Sequence, residues 1–110
     1  MELKEGMYIR TDDGIITKII DNRDNVIIKT DDYTTHLRSK VTKASNNIID
    51  LIEVGDIITY EFPTGLGMLK YENVTVLENL LDILKNSDEY TILSIVTKEQ
   101  FESMSYKVGD

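Results

Sequence analysis

The stretch Met7-Tyr8-Ile9-Arg10-Thr11-Asp12-Asp13-Gly14-Ile15-Ile16-Thr17-Lys18-Ile19-Ile20 decides how the rest of the chain is read. Two runs rich in β-branched and aromatic residues flank it, which favours strands. Asp13-Gly14 between them is a strong signal for a two-residue hairpin turn, in which both central residues must tolerate positive φ. The rhythm then continues. Asn22-Arg23-Asp24-Asn25 reads as a second turn, Val26-Ile27-Ile28-Lys29-Thr30 as a third strand, Asp31-Asp32 as a third turn and Tyr33-Thr34-Thr35-His36-Leu37 as a fourth strand. Four short strands with a turn about every ten residues predict a small barrel or a strongly twisted antiparallel sheet, an SH3-like meander.

Downstream the pattern changes. Ser45-Asn46-Asn47 opens a single helical turn over Ile48, Ile49, Leu51 and Ile52, which Glu53-Val54-Gly55-Asp56 ends. Ile57–Phe62 reads as a strand with Ile58, Tyr60 and Phe62 on one face. Pro63-Thr64-Gly65-Leu66-Gly67 is a predicted loop, and Met68–Glu72 a further short strand. Val74, Leu77, Leu80, Leu81 and Leu84 then share one side at helical spacing, predicting an amphipathic helix over 74–85. Thr75 and Glu78 fit a capping box at its start. Tyr90–Val96 is apolar on both faces and predicts a covered, central strand. Thr97 and Gln100 fit a second capping box, opening a short C-terminal helix through Met104 with Phe101 and Met104 turned inward. Tyr106 and Val108 alternate as a last strand or docked tail. The class is therefore α+β. One loose echo stands out: Glu5-Gly6-Met7-Tyr8-Ile9 recurs as Val54-Gly55-Asp56-Ile57-Ile58, a glycine permitting a sharp entry into a strand each time.

The 110 residues are read as a single domain, 1–110. Without cysteine, disulfides, zinc-thiolate sites and thiol catalysis are excluded. The formal net charge is −8, and it is uneven. Residues 1–44 balance eight acidic against eight basic side chains and form the neutral β-meander. Residues 45–110 carry twelve acids and four bases, and so the whole excess. Arg38, Lys40 and Lys43 make a small basic run, too few charges for a nucleic-acid footprint. Direct binding of nucleic acid or of an anionic membrane is not expected, since both need a basic surface. No apolar run approaches a membrane span, and Met1-Glu2-Leu3-Lys4-Glu5 is not a signal peptide, so a cytoplasmic location is expected.

Chemistry is sparse. A nucleophile needs a base beside it, and His36 is the only histidine. Ser39 and Ser45 lie near it without a nucleophile-elbow motif. Asp12-Asp13 and Asp31-Asp32 share one end of an up-and-down sheet, but aspartate in turns is expected on conformational grounds alone. Gly65-Leu66-Gly67 lacks what a phosphate loop requires. No catalytic residue, metal ligand or cofactor is expected, and the chain is read as a non-enzyme. The candidate partner-binding residues are Glu78 and Asp82, four apart on the helix face opposite the leucines, then Asp88 and Glu89, and finally Glu99 and Glu102 on the last helix. If the two helices lie on the same side of the sheet, these six carboxylates form one acidic field suited to a basic protein surface.

Three segments carry a family resemblance: Glu5–Thr11, Asn47–Asp56 and Ser94–Glu102. They resemble small acidic proteins carried by phages and prophages of Gram-positive, low-GC bacteria. Residues 22–43 and 62–90 lie outside the resemblance, and the leucine-rich helix at 74–85 departs from the commoner pattern. No catalytic residues carry over. The resemblance implies a phage accessory factor acting in the bacterial host cell, with inhibitors of bacterial defence such as anti-CRISPR proteins as one such class. The alternatives from the residues alone are a small-ligand-binding barrel and a structural or virion-associated homo-oligomer.

Overall fold

The structure, a computed structural model, describes residues 2–104. It is α+β and strand-rich, with two antiparallel sheets and two α-helices among these residues. The chain divides into two compact units, Met1–Leu51 and Ile52–Asp110.

The first unit is a five-stranded sheet of order β4-β3-β2-β1-β5. Its strands are β1 (Tyr8–Thr11), β2 (Ile16–Asp21), β3 (Ile27–Thr30), β4 (Thr35–Leu37) and β5 (Val41–Ser45). Ile9, Ile19 and Ile28, one each from β1, β2 and β3, are buried to 1% exposure or less and form the core, with Leu3, Met7, Val41 and Ala44 packed on it. No closed barrel forms among the described residues; β4 and β5 are open edges. The meander of the first four strands is as expected, whereas β5 was not anticipated. It reads as polar because it is an edge strand, paired only with β1. Arg38 lies in a 3-10 turn, Arg38–Lys40, and its guanidinium donates to the backbone oxygens of Asp24 (2.8 Å) and Asn22.

The first hairpin closes differently from the expectation. Gly14 donates to the Thr11 oxygen (3.0 Å) and Thr11 to the Ile15 oxygen (3.0 Å), so three residues make the loop. Gly14 alone takes positive φ there (+85°), and Asp13 is occupied accepting from the Thr11 hydroxyl. This is a type I turn followed by a left-handed residue. The predicted helical turn after Asn47 is present as a 3-10 turn, Ile48–Leu51, with the Asn47 side chain accepting from Ile49 N–H (3.1 Å). Fully buried Arg10 donates to the Leu51 oxygen at its end (2.9 Å). This anchor carries the first unit past the charge boundary at residue 44.

The second unit holds a three-stranded sheet of order β7-β6-β8, from β6 (Ile57–Thr64), β7 (Gly67–Thr75) and β8 (Thr91–Val96), with α1 (Glu78–Lys85) between β7 and β8 and α2 (Lys98–Met104) after β8. The central strand is β6, not Tyr90–Val96 as expected. β8 is an edge, and its Leu93 is 46% exposed. Apolar composition marked β8 as covered, but pairing on one side only leaves part of it outward. The loop predicted at 63–67 shrinks to Gly65-Leu66, because Pro63 and Thr64 pair with Met68 and Gly67. Pro63 is tolerated there: β8 pairs with β6 only as far as Glu61, so no donor is missed. The expected capping box at Thr75 does not form. Val74 and Thr75 continue β7 opposite Ile58 and Ile57, and α1 begins only at Glu78. The second capping box is present: Thr97 N–H donates to Gln100 Oε1 (3.1 Å) and Gln100 N–H to Thr97 Oγ1 (3.3 Å). The tail strand expected at Tyr106 and Val108 lies outside the described residues.

Candidate functional site

The second unit is organised around one carboxylate. Asp56 is fully buried, and its two oxygens accept from Glu53 N–H (2.8 Å) and Lys98 N–H (3.0 Å). Its backbone oxygen accepts from Val76 N–H (2.8 Å). Asp56 thus ties the entry of β6, the end of β7 and the first residue of α2 together. Lys98 Nζ reaches Glu53 Oε1 at 2.9 Å on the same side.

This frame places the six expected partner-binding residues. Glu78 and Asp82 are exposed on α1, while Leu84 of the same helix is buried and Leu80 and Leu81 are half-buried. Glu78 in the first turn and Lys85 in the last suit the helix dipole. Asn86 ends α1, its backbone and side-chain N–H groups both donating to the Asp82 oxygen (3.1 and 2.7 Å). Asp88 and Glu89 are exposed in the connection to β8. On α2, Glu102 is exposed and Glu99 half-buried. The carboxylates of Glu78, Asp82, Asp88 and Glu89 enter no hydrogen bond or ion pair among the described residues. The expected inward turn of Phe101 and Met104 fails, since they are 51% and 72% exposed. α2 spans seven residues, too short to sustain a buried stripe, and is tethered at its N-terminal end.

One feature escaped the sequence reading in full. Tyr60, Phe62, Tyr71 and Tyr90 form a single ring cluster, with centroids 5.1–6.3 Å apart. The period-two pattern of β6 signalled Tyr60 and Phe62, but Tyr71 and Tyr90 join through strand register that no local pattern displays. Burial, with Tyr71 and Tyr90 adjoining, pushes the Tyr60 phenol up from its ordinary value.

In the first unit the polar groups are spent on turns. The hairpin Thr30–Thr34 repeats the first one, with Tyr33 donating to Thr30 (3.1 Å), Thr30 N–H to Thr34 (3.2 Å) and the Thr30 hydroxyl to Asp32. The Thr11 hydroxyl holds the Asp13 carboxyl below the usual range. At Asp32 burial pushes up, but hydrogen bonds from Thr30 and Thr34 prevail and its pKa is lowered. Groups depressed in the folded state contribute stability above an unfolded value near 3.8, and that contribution is lost as pH falls below it. His36 Nε2 lies 2.9 Å from Thr34 Oγ1 and 3.6 Å from Asp32 Oδ2. Both contacts use the same ring nitrogen, so His36 does not bridge a hydroxyl to a carboxylate as a catalytic base must. Among the described residues no three His, Asp or Glu side chains converge on a metal position. An open depression of about 540 Å³ is lined by Asp21, Arg23, Asp24, Ile27 and Lys29. Arg23 donates to both oxygens of Asp21 (3.1 and 2.7 Å) and holds that carboxyl well below its ordinary pKa.

No family model, curated protein or solved structure matches this chain. Among the described residues no helix is long and apolar enough to cross a membrane.

Proposed function

We propose that this chain is a non-catalytic accessory protein of phage or prophage type that binds a protein of its bacterial host cell, in the cytoplasm, through the acidic surface of its second unit. Inhibition of a defence system, in the manner of an anti-CRISPR protein or a nucleic-acid mimic, is the role that fits such a surface. The observation that carries this reading is the set Glu78, Asp82, Asp88 and Glu89: exposed carboxylates that enter no hydrogen bond or ion pair among the described residues. Charges of this kind steer a basic partner and suppress wrong ones. The first unit is read as an SH3-like scaffold on the strength of its glycine-entered meander. The test is capture from host lysate with the wild type and with all four residues changed to Lys. Capture should fall about tenfold or more in the variant and weaken as salt rises. Equal capture by the two proteins would remove the acidic surface from the reading.

A second reading, self-association, has its own observation: β7 is an edge strand of nine residues, open along one side. Lys70 and Glu72 place charges on that edge, paired at 3.2 Å, which opposes pairing between copies. Light scattering across a concentration series separates the two, since only self-association predicts a concentration-dependent mass.

A further inference from the structure

The second unit has a face that the exposed carboxylates do not account for. Register sets Tyr60 opposite Tyr71 and Phe62 opposite Leu69 across β6 and β7, and Tyr60 opposite Ile92 across β6 and β8. Tyr90 stands one residue before β8 and reaches Phe62 at 5.1 Å. Phe62 and Tyr71 lie nearly parallel, 5.8 Å apart at 20°. The cluster is part buried and part open: Tyr60 is 8% exposed, whereas Tyr71 and Leu69 are 43% and 42% exposed. Phe62 and Tyr90 are half-buried, so the cluster opens outward chiefly at the Tyr71 ring, and a partly open aromatic cluster on a sheet suits contact with a partner.

Charge identifies the partner. Aromatic platforms commonly stack nucleic-acid bases, but bases bring phosphates, and residues 52–110 carry eleven acids against four bases. The faces of aromatic rings are negative and attract cations. Asp88 and Glu89, exposed and unengaged, lead directly into Tyr90 and add to that attraction. Packing narrows the choice further. Rings 5–6 Å apart leave no slot for an ammonium group between them, so a cation must lie on the outer ring face. A flat guanidinium stacks there, where a compact, strongly hydrated ammonium gains less.

We propose that the Tyr60–Phe62–Tyr71–Tyr90 cluster is a platform that stacks an arginine of a basic partner segment, with Asp88 and Glu89 drawing the segment in. This rests on the acidic-surface reading above and specifies what that surface recognises.

The probe is a hexa-arginine peptide, with the matching hexa-citrulline peptide as the uncharged control. Binding is followed by NMR of the tyrosine ring protons and by tyrosine emission, which no tryptophan obscures. The wild type should bind hexa-arginine, with arginine side-chain protons moved upfield by the rings, and should ignore hexa-citrulline. Tyr71→Leu, which keeps bulk and removes the ring, should weaken binding about fivefold. Tyr71→Phe should stay within about twofold, because the ring face remains. Asp88→Asn with Glu89→Gln should weaken binding while leaving the upfield shifts of the bound arginine. If Tyr71→Leu binds as the wild type while the Asp88/Glu89 variant loses binding, the ring platform is overturned and the acidic surface stands. Failure of the wild type to bind hexa-arginine overturns the platform, and the lysate capture above then decides the acidic surface on its own. Equal binding of hexa-citrulline overturns it too, as does a wild-type dimer that Tyr71→Leu dissolves, which would give the face to a second copy.

Discussion

The chain enters each of its two sheets by the same turn, and the side chain at its fourth position sets the two copies apart. Lys4-Glu5-Gly6-Met7 leads to β1, and Glu53-Val54-Gly55-Asp56 leads to β6. In both, the fourth N–H donates to the first oxygen at 3.1 Å, and the third residue is a glycine at positive φ, +88° and +98°. That is the pattern of a type II turn. Each glycine N–H then donates at 2.9 Å to another strand segment, to Ile19 in the first copy and to Val76 in the second. Ile19 and Val76 donate back to the residue after the glycine, at 2.9 and 2.8 Å. Even the side chain of that residue acts alike: Met7 Sδ accepts from Lys4 N–H (3.3 Å) and Asp56 Oδ2 from Glu53 N–H (2.8 Å). Met7 has nothing further to offer and packs against the isoleucine core. Asp56 has a second oxygen, and with it captures Lys98 N–H and the start of α2. One turn thus serves as a hydrophobic staple in the first unit and as a helix clamp in the second.

The largest effect should come from breaking the clamp. Asp56→Ala removes a buried carboxylate that accepts two backbone N–H bonds, and hydrogen bonds to a charged group contribute about 1.5–3 kcal/mol each. A loss of about 3 kcal/mol is expected in urea denaturation, along with helical signal from α2 in far-UV circular dichroism. Met7→Ala in the half-buried counterpart should cost about 1–2 kcal/mol, through packing alone, with helix content unchanged. Equal losses in the two variants would mean that the turn, not its fourth side chain, sets the difference.

The glycines test the backbone half of the comparison. A Cβ at Gly6 meets nothing within 4 Å, and one at Gly55 meets Lys98 Cδ at 3.5 Å, an ordinary contact. Space therefore does not separate them, and φ decides. A left-handed conformation costs an ordinary residue about 1–2 kcal/mol, partly offset by the stiffer unfolded chain of alanine. Gly6→Ala and Gly55→Ala should each lose about 1 kcal/mol, to within about half a unit of one another, by the same denaturation measurement. A Gly55 loss several times larger would show that the second turn has no room for adjustment around Lys98.

What the sequence displays follows from how local each cause is. The meander and the second capping box were legible because turn residues and Thr97/Gln100 act within a few positions of themselves. The glycine echo was legible as a pattern, but Asp56 was not legible as a clamp, since Lys98 lies on a helix that follows the whole sheet. The leucine stripe misled at its start: Val74 and Thr75 fit a helix, yet pairing with Ile58 and Ile57 holds them in β7. Tertiary pairing overrode local propensity there. Glu78 and Asp82 were named from sequence because a surface helix announces its polar face, and Asp88 and Glu89 because they follow its end directly. The ring cluster was missed because Tyr71 and Tyr90 meet β6 through register alone.

A second repeated turn gives the smallest and most discriminating effect. Thr11-Asp12-Asp13-Gly14-Ile15 and Thr30-Asp31-Asp32-Tyr33-Thr34 share their backbone bonds and the threonine-to-aspartate contact. The left-handed position is held by glycine in the first and by tyrosine in the second, at φ +64°. Tyr33 is 97% exposed, so its ring gains nothing from packing that would offset this conformation. Tyr33→Gly removes about 1–2 kcal/mol of backbone cost and returns about 0.4–1 kcal/mol as unfolded-chain entropy. A net stabilisation of about half a kcal/mol is expected, read as a small upward shift in the urea midpoint at unchanged slope. A stabilised Tyr33→Gly variant would show that the left-handed conformation at Tyr33 carries a backbone cost its exposed ring does not offset. A destabilised variant would instead show that the two turns, alike in their backbone bonds and their threonine-to-aspartate contact, are not alike in energy.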